Sequence, residues 1–171
     1  MLKQIDDAPT RLSLLGNLLE GIKSTVFRQT QFAEFELRLH EMGEKGQPIT
    51  GDSLCELYLG ICRRYYGHAE GTCVVDDYIQ HEWSFIPHFY REFYVFQYAT
   101  SFCAAEALSA KVLGGDTGTR DRYLTFLTRG GSKYPIDLLR EAGVDMTTDE
   151  PLTLTMARMN AVMDQIEKLV P

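Results

Sequence analysis

Apolar side chains recur every three or four positions along most of the chain, which is the period of an α-helix. The first such pattern covers residues 11–42 and predicts one long helix or two helices in tandem. It ends at Gly43, Gly46 and Pro48, residue types that terminate helices. Its two apolar stripes are Leu15, Leu18, Ile22 and Val26 and then Phe32, Phe35, Leu39 and Met42.

A second helix is predicted over residues 52–65, with Thr50 or Asp52 as the cap of its first turn. Residues 66–87 are less regular. Another long pattern covers residues 88–113 and predicts a long helix that ends before a pair of glycines. Its second half is rich in alanine, which allows neighbouring helices to approach closely. On one helix, these residues would share a stripe: Phe93, Phe96, Thr100, Cys103 and Ala107.

Three shorter patterns complete the chain. They predict a helix over residues 119–128, a short helix from Pro135 to Gly143 and a last helix that begins near Asp149. The last helix carries a methionine-rich stripe that is typical of a core face. Because no credible run of strands is present, the predicted fold class is all-α, in a single helical domain over residues 1–171.

Charge and hydropathy exclude several classes of protein. The formal net charge is −7 and the two signs are interspersed, whereas a nucleic-acid surface needs clustered Lys and Arg. The N-terminal sequence has no signal-peptide pattern, and no stretch approaches the roughly 18 apolar residues of a membrane span. We therefore expect a cytoplasmic protein that binds neither nucleic acid nor membrane.

The four cysteines do not form a C-x-x-C pair, so the sequence favours neither a zinc ribbon nor a thioredoxin-type motif. They are expected to be reduced structural thiols. The four are Cys55, Cys62, Cys73 and Cys103.

Two stretches resemble zinc motifs but have unsuitable spacing. Residues 40–44 begin like HExxH, yet the fifth position is Glu44, and two imidazoles one turn apart are needed. His81 and His88 are seven residues apart, on opposite sides of Pro87. We therefore predict no metal site among the residues of this chain.

An aromatic stretch is the most distinctive feature of the sequence. Seven of the fourteen residues from 89 to 102 are aromatic, more than one apolar stripe requires. His88, Tyr94 and Tyr98 add polar tips, and an i, i+4 pair of tyrosines projects its hydroxyls from one face. Composition favours a core whose hydroxyls are satisfied internally. The alternative is a cleft in which these groups donate hydrogen bonds to an oxyanion.

Five blocks of sequence resemble, in the same order, the C-terminal region of the oligoendopeptidase F family. This family is the bacterial branch of the thimet oligopeptidase family of zinc peptidases. The resemblance covers nearly the whole chain. For the aromatic stretch, it favours the interpretation as a cleft over the interpretation as a core. The five blocks are residues 26–36, 65–67, 82–100, 130–132 and 142–146.

The resemblance implies the multi-helix C-terminal part of a zincin-type oligopeptidase catalytic domain. The family holds one zinc on an HExxH helix and a downstream Glu, elements that normally precede the block at residues 26–36. The full-length family thus uses zinc, but we expect this chain to bind none. The family's later His and Tyr residues imply catalytic roles for His88 and Tyr94, and substrate-binding roles for His88, Tyr94 and Tyr98. Tyr94 is the first choice of oxyanion donor and Tyr98 the second.

On a continuous helix, Tyr94 would lie about 240° around the axis from His88. We therefore expect these two side chains to face each other across the mouth of a cleft, with the substrate between them. Both are expected to be at least partly accessible to solvent.

Two hypotheses of function follow. In the first, the chain is part of a metalloendopeptidase that hydrolyses short oligopeptides, is inactive alone, and is completed by an N-terminal HExxH-bearing fragment. In the second, it is a non-catalytic helical module that binds peptides or another protein. A part of a larger lobe should expose apolar surface. A homo-oligomer is therefore also expected, with residues 12–22 as its most adhesive surface.

Overall fold

The computed structural model describes residues 5–170, and helices make up most of this part of the chain. Residues Lys23–Phe27 form a π-helical turn, and Asp77–Phe85 and Pro87–Tyr90 form two 3₁₀ segments. No strand occurs among residues 5–170, so the all-α fold class is confirmed. The α-helices are α1 Ala8–Ile22, α2 Arg28–Glu44, α3 Gly51–Tyr65, α4 Phe96–Leu113, α5 Thr117–Arg129, α6 Pro135–Ala142 and α7 Glu150–Glu167.

The chain divides into two compact units. Residues 27–99 form one unit, and residues 1–26 together with 100–171 form the other. We call them the central unit and the terminal unit. The expectation of a single helical domain over residues 1–171 stays a prediction.

Sequence-predicted caps begin several helices. The side chain of Thr50 accepts a hydrogen bond from the backbone N–H of Ser53, and the Ser53 hydroxyl accepts one from the backbone of Thr50. This reciprocal capping box satisfies donors that the first turn of α3 would otherwise leave free. Of the two predicted caps, Thr50 therefore fills the role rather than Asp52.

The core of the central unit is built from large aromatic side chains. Phe35 and Tyr58 are fully buried and meet edge to face, with ring centroids 5.1 Å apart. The ring of Phe89 packs against the same Phe35 ring with centroids 5.1 Å apart, and the Trp83 ring does so at 6.3 Å. Because Phe89 is anchored in this core, the 3₁₀ turn that carries it has a fixed place on α2.

The terminal unit has small residues at its helix contacts. Ala104 and Ala107 of α4 are buried with Ala142 at the end of α6. Elsewhere in this unit α1 packs on α7. The predicted methionine stripe is only half-buried: Met156 and Met159 line the edge of a cluster, whereas the fully buried α7 positions are Pro151, Thr155 and Val162.

The predicted helix over residues 88–113 is wrong in its first part, because α4 begins only at Phe96. Residues Pro87–Tyr90 form a 3₁₀ turn, and Phe93 has a φ of 48°, which an α-helix cannot contain. Phe93 therefore does not share a stripe with Phe96, and His88 and Tyr94 are not on one helix.

Among residues 5–170, no helix combines the length and the apolar character that crossing a bilayer requires.

Candidate functional site

The structure brings together the three side chains that the sequence singled out. His88 lies in the 3₁₀ turn, Tyr94 in the loop that follows it, and Tyr98 in the first turn of α4. The Nε2 atom of His88 is 3.1 Å from the Tyr98 hydroxyl, which is 3.4 Å from the Tyr94 hydroxyl. Three polar tips thus form one connected row, which we call the His–Tyr row.

The rings of the His–Tyr row also contact each other directly. The His88 imidazole stacks on the Tyr94 ring, with centroids 5.7 Å apart and planes 15° apart. Tyr98 meets both rings nearly edge-on, at 5.5 and 5.6 Å. The expectation that His88 and Tyr94 face each other across a cleft with substrate between them is therefore wrong, because their rings are already in contact.

The row is accessible to solvent. His88 and Tyr94 are half-buried, and Tyr98 is exposed. They are therefore not sealed in the core of the central unit. Neighbouring residues attach the row to the core of the central unit: Val95, between the two tyrosines in sequence, has no exposed surface, and the partly buried Phe89, next to His88 in the same turn, packs against that core.

Local hydrogen bonds explain why the chain turns here. Backbone N–H groups of Phe89, Arg91 and Tyr94 each donate to a carbonyl three residues earlier. This pattern makes successive tight turns rather than an α-helix. Arg91 also places its guanidinium 5.7 Å from the Tyr94 ring centroid, a cation–π contact at the edge of the row.

The surroundings of Tyr98 favour its protonated form. The hydrogen bond with Tyr94 raises the pKa of Tyr98 above its ordinary value, and partial desolvation adds to this. The phenol of Tyr98 therefore keeps its proton at neutral pH. The 3.4 Å separation of the two hydroxyls is long for an O–H···O bond, so the link between them is weak.

The sequence analysis missed the residues that hold the loop before Tyr94. The Glu36 carboxylate on α2 accepts the backbone N–H of Phe93 at 2.8 Å, and the His40 imidazole stacks on the Phe93 ring at 4.5 Å. Burial raises the pKa of Glu36, against the opposing effects of the Phe93 N–H and His40. A sequence signal was present, since Glu36 lies one turn from Phe32 and next to Phe35, on a face that should be apolar.

A second carboxylate, the partly buried Glu82, fixes the 3₁₀ segment Asp77–Phe85. The Glu82 carboxylate forms an ion pair with Arg28 and accepts the Tyr58 hydroxyl at 2.5 Å. Burial, followed by this hydrogen bond, raises the pKa of Tyr58 far above its ordinary value, so the phenol stays neutral. Nearby, burial raises the pKa of the Cys62 thiol to about 11. These groups stabilise the segment and are not poised as nucleophiles.

The histidines outside the row have structural contacts. His40 stacks on Phe93, and His81 places its Nδ1 atom 3.4 Å from the sulfur of Cys55. Within residues 5–170, no group of three or more His, Cys, Asp or Glu side chains could hold a metal ion. The donor set of the described residues therefore does not fit a zinc centre.

A separate apolar groove of about 730 Å³ lies in the terminal unit, between α4, α5 and α6. Leu108, Phe126 and Leu139 are among its lining residues, and it contains none of the predicted site residues.

The sequence model of peptidase family M3 matches residues 2–158 of this chain. The chain belongs to peptidase family M3. The resemblance to oligoendopeptidase F is confirmed by similar proteins. The chain is 43% identical over 170 residues to oligopeptidase PepF of Bacillus subtilis, covering 99% of this chain and 25% of that protein. It is 39% identical to the group B oligopeptidase PepB of Streptococcus agalactiae, covering 99% and 28%.

Solved structures agree with this membership of family M3. The oligoendopeptidase-F of Enterococcus faecium matches with a TM-score of 0.91 at 41% identity, over 98% of this chain and 32% of that one. A putative peptidase from Chlamydophila abortus matches with a TM-score of 0.90 at 35% identity, over 99% and 28%. The M3 chain thus spans about a quarter to a third of the length of these relatives.

Proposed function

We propose that this chain contributes the substrate side of a peptidase that cleaves short oligopeptides. His88, Tyr94 and Tyr98 would bind the peptide, and Tyr94 would donate a hydrogen bond to the oxyanion that forms at the scissile carbonyl. The relatives' names, oligopeptidase and oligoendopeptidase, support the substrate class. The observation that carries the proposal is the accessible His–Tyr row.

The hydrogen-bond order supports Tyr94 as the donor. Each phenol has one proton to donate. If Tyr98 donates to Tyr94, the Nε2–H of His88 must donate to Tyr98, because the Tyr98 proton is already engaged. The Tyr94 proton is then free to point toward a substrate oxygen. Accepting this hydrogen bond makes Tyr94 a stronger donor than an isolated phenol, and the gain is small because the 3.4 Å contact is long.

Peptidases of family M3 depend on zinc in general, but the described residues supply no suitable donor set. We therefore assign no step to a metal held by this chain. The proposal includes an HExxH-bearing polypeptide as the partner that would hold zinc. The chain's own residues would bind and orient the peptide and stabilise negative charge on its carbonyl oxygen.

The test measures peptide binding and turnover separately. A labelled short oligopeptide is titrated against the chain alone, and hydrolysis is then followed with zinc and the part of B. subtilis PepF that this chain does not match. We expect binding by the chain and turnover only in the mixture. Binding without turnover in the mixture would indicate a non-catalytic peptide-binding module, and absence of both would overturn the proposal.

Tyr94→Phe provides the sharpest single change. In the active mixture, loss of an oxyanion donor should lower kcat roughly 10²–10³-fold with little change in KM. Tyr98→Phe should cost less, roughly tenfold, because it only weakens the donor. Tyr134→Phe, an exposed tyrosine of the terminal unit, is the matched control and should leave kcat unchanged.

The folding stability of Tyr94→Phe checks the same assignment independently. Because Tyr94 is only half-buried, its free energy of unfolding should change by less than about 1 kcal/mol. A larger loss in urea denaturation would show that the hydroxyl makes a buried structural hydrogen bond. The catalytic role would then have to be withdrawn.

A further inference from the structure

Glu36 is a carboxylate in a place where an apolar residue would be expected. Glu36 is only 3% exposed, and its neighbour in the sequence, Phe35, is fully buried. Burying a carboxylate is costly unless strong hydrogen bonds compensate. The Glu36 Oε1 atom has such a bond, at 2.8 Å from the backbone nitrogen of Phe93, which is 57 residues away in the sequence. The bond therefore ties α2 to one point of a distant loop.

That point of the loop has an unusual backbone. Phe93 has a φ of 48°, the only positive φ of a residue other than glycine among residues 5–170. Left-handed conformations are disfavoured for residues with a Cβ atom and persist only when the surroundings enforce them. Here two side chains of α2 do so: Glu36 binds the backbone N–H, and His40, one turn later, stacks on the ring with centroids 4.5 Å apart.

The direction of Tyr94 depends on this residue. Phe93 directly precedes Tyr94, and a left-handed residue redirects the chain that follows it. Beyond Phe93, the Tyr94 ring returns to lie parallel to His88 at 5.7 Å. With an ordinary negative φ at Phe93, the backbone leaving it would point elsewhere, and the Tyr94 ring would leave the row.

We propose that Glu36 is a positioning residue for the His–Tyr row. Its carboxylate, together with the His40 ring, holds Phe93 in the left-handed conformation and so directs Tyr94 toward His88 and Tyr98. An effect of Glu36 on catalysis rests on the function proposed above for Tyr94. Its effect on the position of the Tyr94 ring does not depend on that function.

The first measurement is independent of activity. The stacked Tyr94 ring shifts the NMR resonances of the His88 imidazole, and Tyr94→Leu gives the spectrum without this stack. Glu36→Met keeps a side chain of similar length but removes the acceptor, so its His88 resonances should move toward those of Tyr94→Leu. Glu36→Gln keeps an amide oxygen that can accept the Phe93 N–H and should remain near the wild type.

Controls separate positioning from general destabilisation. Glu44→Met makes the same change at an exposed position of the same helix and should leave the His88 resonances unchanged. If Glu36→Met does not fold, His40→Ala decides, because it removes the other support of Phe93 and should also move the His88 resonances. The proposal is overturned if Glu36→Met folds and its His88 resonances are those of the wild type. If Glu36→Met does not fold, the same result for His40→Ala overturns it.

The second measurement uses the peptide-cleaving mixture. Glu36→Met should lower kcat at least about tenfold while KM stays within about twofold, since a misplaced donor affects the transition state most. Glu36→Gln should restore most of the wild-type kcat. If the His88 resonances move but the wild-type mixture shows no turnover, the proposed function fails and the positioning role of Glu36 stands. If they do not move, the positioning role fails whatever the activity.

Discussion

The two units of this chain reach stability by different means. The central unit buries large aromatic rings together with charged groups, among them Phe35, Tyr58 and Glu36. The terminal unit buries alanines and valines along long helices, with Ala107 and Val162 fully enclosed. The central unit also contains both 3₁₀ segments and Phe93 with its positive φ, whereas the described residues of the terminal unit contain no 3₁₀ segment and deviate from the α-helix mainly at the π-helical turn that begins at Lys23.

The difference shows where the irregular backbone is supported. Turns that direct side chains outward need strong anchors beneath them, because they lack the repeating hydrogen bonds of a helix. In the central unit, aromatic rings and carboxylates provide these anchors at Phe89, at the partly buried Glu82 and at the buried Glu36. The described residues of the terminal unit contain no 3₁₀ segment of this kind, and small side chains such as Ala104 and Ala107 make its helix contacts.

The largest expected effect is on the aromatic core. Phe35→Ala removes a ring that contacts three other aromatic rings and should lower the free energy of unfolding by about 3–5 kcal/mol. Val162→Ala, at an equally buried site of the terminal unit, removes two methyl groups and should cost about 2 kcal/mol. Amide hydrogen exchange, followed in the unit that carries each substitution, measures both losses of stability. An equal or larger cost for Val162→Ala would contradict the comparison.

Two glycine-to-alanine substitutions should change the free energy of unfolding in opposite directions. Gly143, which ends α6, has a φ of +103°, and an added Cβ would lie 3.1 Å from the Arg122 guanidinium. Gly143→Ala should therefore cost about 1–2 kcal/mol. Gly60 lies within α3 with open space around it, so Gly60→Ala should stabilise by up to about 1 kcal/mol. Thermal unfolding compares them, and a stabilised Gly143→Ala would refute the left-handed cap.

The smallest effect is a shift in tyrosine ionisation. Since the hydrogen bond with Tyr94 is the largest cause of the raised pKa of Tyr98, Tyr94→Phe should lower that pKa toward its ordinary value of 10.0. The folded wild type holds this proton more tightly than the unfolded chain. Its stabilising contribution is therefore lost as the pH rises from about 10 through the folded pKa, and Tyr94→Phe should weaken this dependence.

Carbon NMR of the Tyr98 ring during an alkaline titration measures this shift. Tyr134→Phe serves as the control and should leave the Tyr98 titration unchanged. A Tyr98 curve that is identical with and without the Tyr94 hydroxyl would show that the two phenols are not hydrogen-bonded in solution.

Most helices could be predicted from the sequence because their signals are local. Thr50 begins α3, Pro135 begins α6 and Gly143 ends it, as the sequence indicated. The start of α4 could not be predicted in this way. Helical periodicity continues through residues 88–95, but the capture of the Phe93 N–H by Glu36 depends on a contact between distant parts of the chain.

The candidate site was predictable in identity but not in geometry. The resemblance to oligoendopeptidase F selected His88, Tyr94 and Tyr98, and their roles stay predictions. Their ring contacts could not be derived, because the helical period of the sequence places His88 and Tyr94 on one helix, whereas α4 begins only at Phe96. Glu36 and His40 were not predicted, because the sequence shows a polar residue on an apolar face but not the distant residue that it contacts, which here is Phe93.

The left-handed backbone of Phe93 has a consequence for chirality. A D-amino acid would adopt this φ without strain, because its Cβ occupies the direction that the Hα takes in an L-residue. For the same reason a D-phenylalanine would aim its ring away from His40. Glycine would relax the backbone too, but it has no ring to stack. Of these three choices, only the strained L-phenylalanine combines this turn of the chain with this direction of its side chain.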